Sequence, residues 1–130
     1  VISINGGVQV DLMGQENAES ANGMQLSGIG GQMDFLEGAF RSEGGCGYIC
    51  INSSRLTKDG VRKSNILPFI PGGSTVSAPR TLIEAVATEY GIAHLAGKSL
   101  AERREAMIAI AHPDFRDALR SEKPDLSRFL

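Results

Sequence analysis

Residues 28–35 are Gly28-Ile29-Gly30-Gly31-Gln32-Met33-Asp34-Phe35, a glycine-rich junction from which the architecture of the chain can be worked out. Three glycines run straight into Met33, Leu36, Ala39 and Phe40, apolar residues at helical spacing, and the run closes at Arg41 before Glu43-Gly44-Gly45. The pattern predicts a glycine turn feeding a helix. Glycine, lacking a Cβ, takes positive φ and lets a ligand approach the main chain, while the first amides of a helix have no partner within it. Gly28, Gly30 and Gly31 are therefore candidate backbone donors to an anion or oxyanion.

The nucleotide fingerprints do not fit. Met33 stands where the third glycine of G-x-G-x-x-G would be, and Gly97-Lys98-Ser99 lacks the upstream glycine of a phosphate-binding loop. Taken alone, the cluster reads equally well as a plain tight turn.

On the amino-terminal side, Ile2, Ile4, Val8, Val10 and Leu12 fall at even positions with Ser3, Gln9 and Asp11 between them. That alternation predicts a strand pair around Asn5-Gly6-Gly7, or one bulged strand. Residues 13–27 are polar, anchored only by Met24 and Leu26, and read as a functional loop. On the carboxyl side, Tyr48–Ile51, Ile66–Phe69, Thr75–Ser77 and Ala85–Thr88 are β-prone, separated by turns at Lys58-Asp59-Gly60 and Pro71-Gly72-Gly73. Ser99-Leu100-Ala101-Glu102 is a capping box that opens a helix to about Ala111, with Leu100, Met107, Ile108 and Ala111 on its apolar side. Pro113 starts a second short helix to about Arg120, and the tail after Pro124 is expected to be loosely held.

Chemistry-bearing side chains are sparse. Cys46 and Cys50 alternate in step on one strand, roughly 13 Å apart, and cannot bridge to each other. They read as buried structural thiols, and two thiols without a second pair make no metal centre. Glu89 invites a nucleophilic role, but a strand-end glutamate more often accepts backbone or arginine hydrogen bonds. His94 and His112 read as helix-end or core residues, and no serine or cysteine stands in a nucleophile elbow.

The chain has 130 residues, 42% of them apolar and 22% charged, with a formal net charge of −2, which fits one globular domain. No basic cluster exceeds Arg103-Arg104, so a nucleic-acid partner lacks support. No apolar run spans a bilayer and the first residues lack a signal-peptide pattern, so no membrane association and a cytoplasmic location are expected. The sequence opens on a strand pattern without Met, which leads to the expectation that residues 1–130 are an amino-terminally truncated domain.

Several separated blocks, in order, resemble the carboxy-terminal part of the acetyl-CoA hydrolase/CoA-transferase family, in its 4-hydroxybutyrate CoA-transferase-like branch. They are Ser3-Ile4-Asn5, Val10-Asp11-Leu12 with Gly14-Gln15, Asn17-Ala18-Glu19-Ser20, the glycine-to-helix unit, Ile66-Leu67-Pro68-Phe69, Thr88-Glu89-Tyr90-Gly91-Ile92-Ala93, Gly97-Lys98-Ser99-Leu100 and Ala111-His112-Pro113-Asp114-Phe115-Arg116. The resemblance implies an α/β fold, a CoA-transferase-like domain whose mixed sheet is flanked by helices, of which this is the carboxy-terminal portion only. It implies exchange of coenzyme A between an acyl-CoA and a small carboxylate, or hydrolysis of acetyl-CoA, without a metal, in a homo-oligomer. In that family the chemistry runs through a glutamyl-CoA thioester, and no stretch here resembles the motif of that glutamate. This chain would then supply the oxyanion donors, Gly31 first, with Gly30 and Gly28 behind it. A missing amino-terminal half, in cis or as a separate chain, would supply the nucleophile, and the isolated chain is expected to be inactive. The family's lysine-glycine turn for the CoA phosphates matches Lys58-Asp59-Gly60 only in altered form, with Lys58 and Arg62 as its candidate cations. The alternative is a non-catalytic module of this fold that binds acyl-CoA or a small anion, or that completes another chain.

Overall fold

The computed structural model describes all residues from Val1 to Leu130. In chain order its elements are β1 (Ile2–Gly6), β2 (Gln9–Asp11), β3 (Glu16–Asn17), β4 (Ser20–Ala21), β5 (Met24–Gln25), α1 (Gln32–Arg41), β6 (Cys46–Cys50), β7 (Ser54–Leu56), β8 (Arg62–Ser64), β9 (Ile66–Leu67), β10 (Ala85–Thr88), β11 (Gly91–His94), α2 (Leu100–Ala109) and α3 (Arg116–Arg120). The central sheet has the order β1-β6-β10-β11, with the first three strands parallel and β11 returning antiparallel. A smaller mixed sheet, β3-β2-β9, lies beside it, and β4–β5 and β7–β8 are separate two-stranded ribbons. The fold is the α/β architecture with a mixed sheet and flanking helices. No helix is long and apolar enough to cross a membrane.

One face of the central sheet carries the core. Val86 sits opposite Ile49 and Ala93 in register, and these join Leu36 of α1 and Met107 and Ile108 of α2 in a single apolar cluster. Full burial of each of these side chains other than that of Ala93 contributes about 1.5–3 kcal/mol. The glycine-to-helix unit and the Ser99–Glu102 capping box form where the sequence puts them: Ser99 Oγ accepts from Glu102 N while the Glu102 carboxylate accepts from Ser99 N.

Several local expectations are corrected. In β1 it is Ser3 that is buried, while Ile2 and Ile4 are 58% and 73% exposed. The cause is α1, which lies over the face where Ser3 pairs with Gly47; a Cβ on Gly47 would come within 2.8 Å of Leu36 Cδ2, so that face takes only small residues under the helix. β1 and β2 do not pair with each other but join different sheets. Residues 13–27 are not an open loop: they form β3 and the β4–β5 ribbon, with Glu16, Asn17 and Ser20 buried. Thr75–Ser77 form no strand; Ser77 N donates to the Glu16 carbonyl of β3 at 2.7 Å, beside an isolated bridge between Glu16 and Ala78.

The buried stripe of α1 is Gln32, Leu36 and Ala39, which leaves Phe40 exposed, and Leu100 at the first position of α2 is exposed too. The second short helix begins as a 3-10 turn, Pro113–Phe115, before α3. The tail is docked, because Phe129 is fully buried against the core and Arg55 Nη2 donates to its carbonyl at 3.3 Å.

Candidate functional site at the start of α1

Gly31 is the N-cap of α1, at φ −92° and ψ 10°, and no side chain caps the helix. Its first amides therefore have no side-chain partner, and Gly28, Gly30 and Gly31 are all exposed. The three glycines differ in kind. Gly30 has φ +60°, a left-handed backbone that favours glycine, whereas Gly31 has an ordinary φ and a Cβ there would meet only the Phe35 ring at 3.3 Å. Strain explains Gly30; it does not explain Gly31, whose bare amide is left open to approach.

Behind this junction stands a layer of polar side chains that sequence reading missed. Asp11, Glu16 and Asn17 are fully buried and Glu19 nearly so. Asn17 Oδ1 accepts from Glu19 N, Ser20 N and Ser20 Oγ, and its Nδ2 donates to the Ser20 carbonyl. The Glu19 carboxylate accepts from Gln25 Nε2 and Ser77 Oγ, and that of Asp11 accepts from Met13 N, Gln15 N and Gln15 Nε2. Glu16 is different: Gln32 Nε2 donates to its Oε2 at 2.5 Å, but Oε1 has no partner. Burial pushes its pKa up to about 7, opposed by the Gln32 hydrogen bond and helped by the charge of Glu19. The sequence signals for this layer were the density of Asn, Gln and Glu in residues 15–25, read as a functional loop, and the blocks of resemblance at Asp11 and Asn17–Ser20; neither shows that these side chains are buried.

Gln32 is the first residue of α1, and the Glu16 carboxyl that it holds packs on Gly7, just past β1. The helix start thus lies over the carboxyl ends of the parallel strands, where open α/β sheets bind their ligands. The same strand ends border an open hollow of about 370 Å³, lined by Gly7, Cys50, Ile51, Asn52, Ala87 and Thr88.

The other residues singled out from sequence are not gathered here. Lys58 is exposed in the β7–β8 turn, and Arg62 on β8 donates to Ser54 Oγ at 2.7 Å, so both belong to a separate ribbon. Glu89 accepts from Ser53 N and Ser53 Oγ; burial raises its pKa, but those hydrogen bonds outweigh it and hold the carboxyl below its usual range. That is a positioned structural carboxylate. His112 Nδ1 accepts from Asp114 N, and its ring stands edge-on to Tyr90 and Phe115, as a helix-end residue does. Cys46 and Cys50 are free and only half-buried, which corrects the expectation of buried thiols: they and His94 lie on the sheet face that no helix covers. No three His, Cys, Asp or Glu side chains converge into a metal-binding group.

The family model described as the acetyl-CoA hydrolase/transferase C-terminal domain matches residues 1–123. The butyryl-CoA:acetate CoA-transferase of Anaerostipes caccae is 49% identical over 118 residues, 91% of this chain and 26% of that protein. The 4-hydroxybutyrate coenzyme A transferase of Clostridium kluyveri is 48% identical over 122 residues, 94% of this chain and 28% of that protein. The crystal structure of RipA from Yersinia pestis superposes with a TM-score of 0.79 at 43% identity, over 92% of this chain and 26% of that one. The chain thus spans about a quarter of the length of the curated relatives that it matches. With an unblocked helix start over the carboxyl ends of a parallel sheet, and a match that runs through both, this chain belongs to the acetyl-CoA hydrolase/transferase family, of which it is a C-terminal domain.

Proposed function

We propose that this domain supplies the oxyanion side of an acyl-CoA:carboxylate CoA-transferase or acetyl-CoA hydrolase, and that the catalytic glutamate is carried by the rest of the protein. The observation that carries the reading is Gly31: an exposed amide at an uncapped helix start, on a residue whose backbone does not itself need glycine. When a glutamate carboxylate and a CoA thioester exchange acyl and thiol groups, the carbonyl oxygen passes through an oxyanion. Amides already fixed at a helix N-terminus stabilise that charge as it forms, an effect worth roughly 3 kcal/mol of barrier per donor. Acyl-CoA and a small carboxylate are the substrates of this reading. Lys58 and Arg62 remain candidates for the CoA phosphates only if the β7–β8 ribbon lies along the bound coenzyme.

The uncovered sheet face supports a further protein segment as partner. Ile2, Ile4, Cys46, Tyr48, Cys50 and Ile92 share it, with Ile92 52% exposed, whereas parallel strands are ordinarily covered on both sides.

A thiol-release assay with acetyl-, propionyl- and butyryl-CoA tests the division of labour. The 130-residue chain alone is expected to show no turnover, and the same chain joined to the remainder of a full-length transferase is expected to turn over. Robust turnover by the isolated chain, abolished by Glu89→Gln, would move the nucleophile into this domain.

A further inference from the structure

Glu16 is fully buried and carries the one buried side-chain oxygen in the molecule without a hydrogen-bond partner. Its surroundings make an ionised carboxylate costly. The β1–β2 corner presents Gly7, whose missing Cβ leaves the room: a Cβ there would lie 2.5 Å from Glu16 Oε1 and 3.1 Å from the Ile49 and Ile51 side chains. β6 and the residue after it present those isoleucines, and α1 presents Gln32, an amide with no charge. The Ser77–Ala78 segment offers its backbone to the backbone of Glu16, and its one nearby hydroxyl is spent on Glu19. Glu19 is the charge that acts on Glu16, and it is of like sign, while Asp34 in the first turn of α1 is exposed. No lysine or arginine answers the carboxyl. An acid at this place is poor for stability, and such conflicts in an otherwise consistent fold mark functional positions.

We propose that Glu16 is a positioning residue: it holds Gln32, and through it the start of α1 and the Gly30–Gly31 amides, and its ionisation sets a negative charge beneath that helix start which works against an oxyanion there. The consequence for the reaction rests on the oxyanion role proposed above for Gly31. Ionisation acts in two ways. The unpartnered Oε1, now sharing the charge, draws in water, while the Gln32 bond, which favours the ionised form, tightens and shifts the first turn of α1. The new negative charge also offsets the positive end of the α1 dipole, on which an oxyanion at Gly31 would depend. With the carboxyl pKa raised to about 7, both changes fall in the ordinary working range.

The test reads the coupling before it reads catalysis. In amide proton–nitrogen spectra of the 130-residue chain between pH 5.5 and 8.5, the backbone amides of Gly30, Gly31 and Gln32 and the Gln32 side-chain amide are expected to shift together with a midpoint near 7. In Glu16→Gln that component should vanish. Every other titratable group is common to both proteins, so the difference between them is the measurement. Amides that titrate identically in both, or not at all in the wild type, would overturn the proposal. If Glu16→Gln does not fold, carbon-13 labelling of the glutamate carboxyls in the wild type decides: a Glu16 midpoint below 5.5 overturns it. In a full-length enzyme carrying this domain, kcat at pH 8 is expected to be about tenfold below its value at pH 6, the neutral fraction set by a pKa near 7, and Glu16→Gln should remove that alkaline fall. Coupled amides with an unchanged alkaline limb in Glu16→Gln would support the role of Glu16 in placing the helix start and refute the oxyanion role of Gly31.

Discussion

Replacing Glu16 by Gln changes how stability depends on pH, and the size of the change follows from the site. The folded chain holds the Glu16 proton with a pKa of about 7, against an ordinary value of 4.5 in the open chain. Between those values the folded state binds more proton than the unfolded one, so stability falls as pH rises from about 4.5 to about 7 and stays lower above it. At about 1.4 kcal/mol per unit, the full effect is about 3 kcal/mol. Glutamine cannot ionise, but its amide nitrogen would sit unpaired against Gly7, which costs about 1–3 kcal/mol. The net expectation is Glu16→Gln no more stable than wild type at pH 5 and about 1–2 kcal/mol more stable at pH 8. Urea unfolding at several pH values measures this, with the variant's midpoint overtaking the wild type's by up to about 1 M across the range. The groups held below their usual range, Glu89 among them, are the same in both proteins and cancel in the difference. Parallel pH dependences for the two proteins would mean that the Glu16 carboxyl ionises as freely folded as unfolded, and would rule out a raised Glu16 pKa.

The glycine loop gives a paired comparison: Gly30→Ala should cost about 1 kcal/mol because of its φ of +60°, while Gly31→Ala should leave the melting temperature nearly unchanged. In a full-length enzyme, Gly31→Val should lower kcat far more than it raises KM; near-normal kcat in a well-folded variant would remove Gly31 from the site. The isolated chain should self-associate through its uncovered sheet face, and Ile4→Lys, at a position 73% exposed, should shift it toward monomer in sedimentation velocity; a wild-type monomer at all concentrations would show that face to be finished. Glu89→Gln should destabilise the chain by about 1 kcal/mol or less, since the carboxylate is exposed to solvent, through its lost charge-assisted bonds to Ser53, with the difference shrinking as pH falls through the depressed carboxyl pKa; thermal melts at pH 4 and pH 7 check it.

The signals legible along the chain are local. A glycine cluster ahead of apolar residues at helical spacing, a Ser-x-x-Glu box and a proline at a helix start each work through bonds between residues a few positions apart, and α1, α2 and the 3-10 turn at Pro113 form where those signals stand. The ordered blocks of resemblance, likewise local strings, were enough to find the family. Tertiary structure decided which face of an element is inside. Alternation along β1 was legible, but its sense was not: α1 packs against small residues, so Ser3 and Gly47 went under the helix and Ile2 and Ile4 to the open side. The tail after Pro124 docks because Phe129 finds a pocket built by distant residues, which no pattern near Phe129 announces. The polar run around Glu16 was hardest to read, since Asn, Gln and Glu in water and the same residues in a buried hydrogen-bonded layer look alike in sequence. Only the approach of Gly7, Gln32 and Ser77 from three separate parts of the chain takes that layer out of water, leaving one carboxyl oxygen among them without a partner.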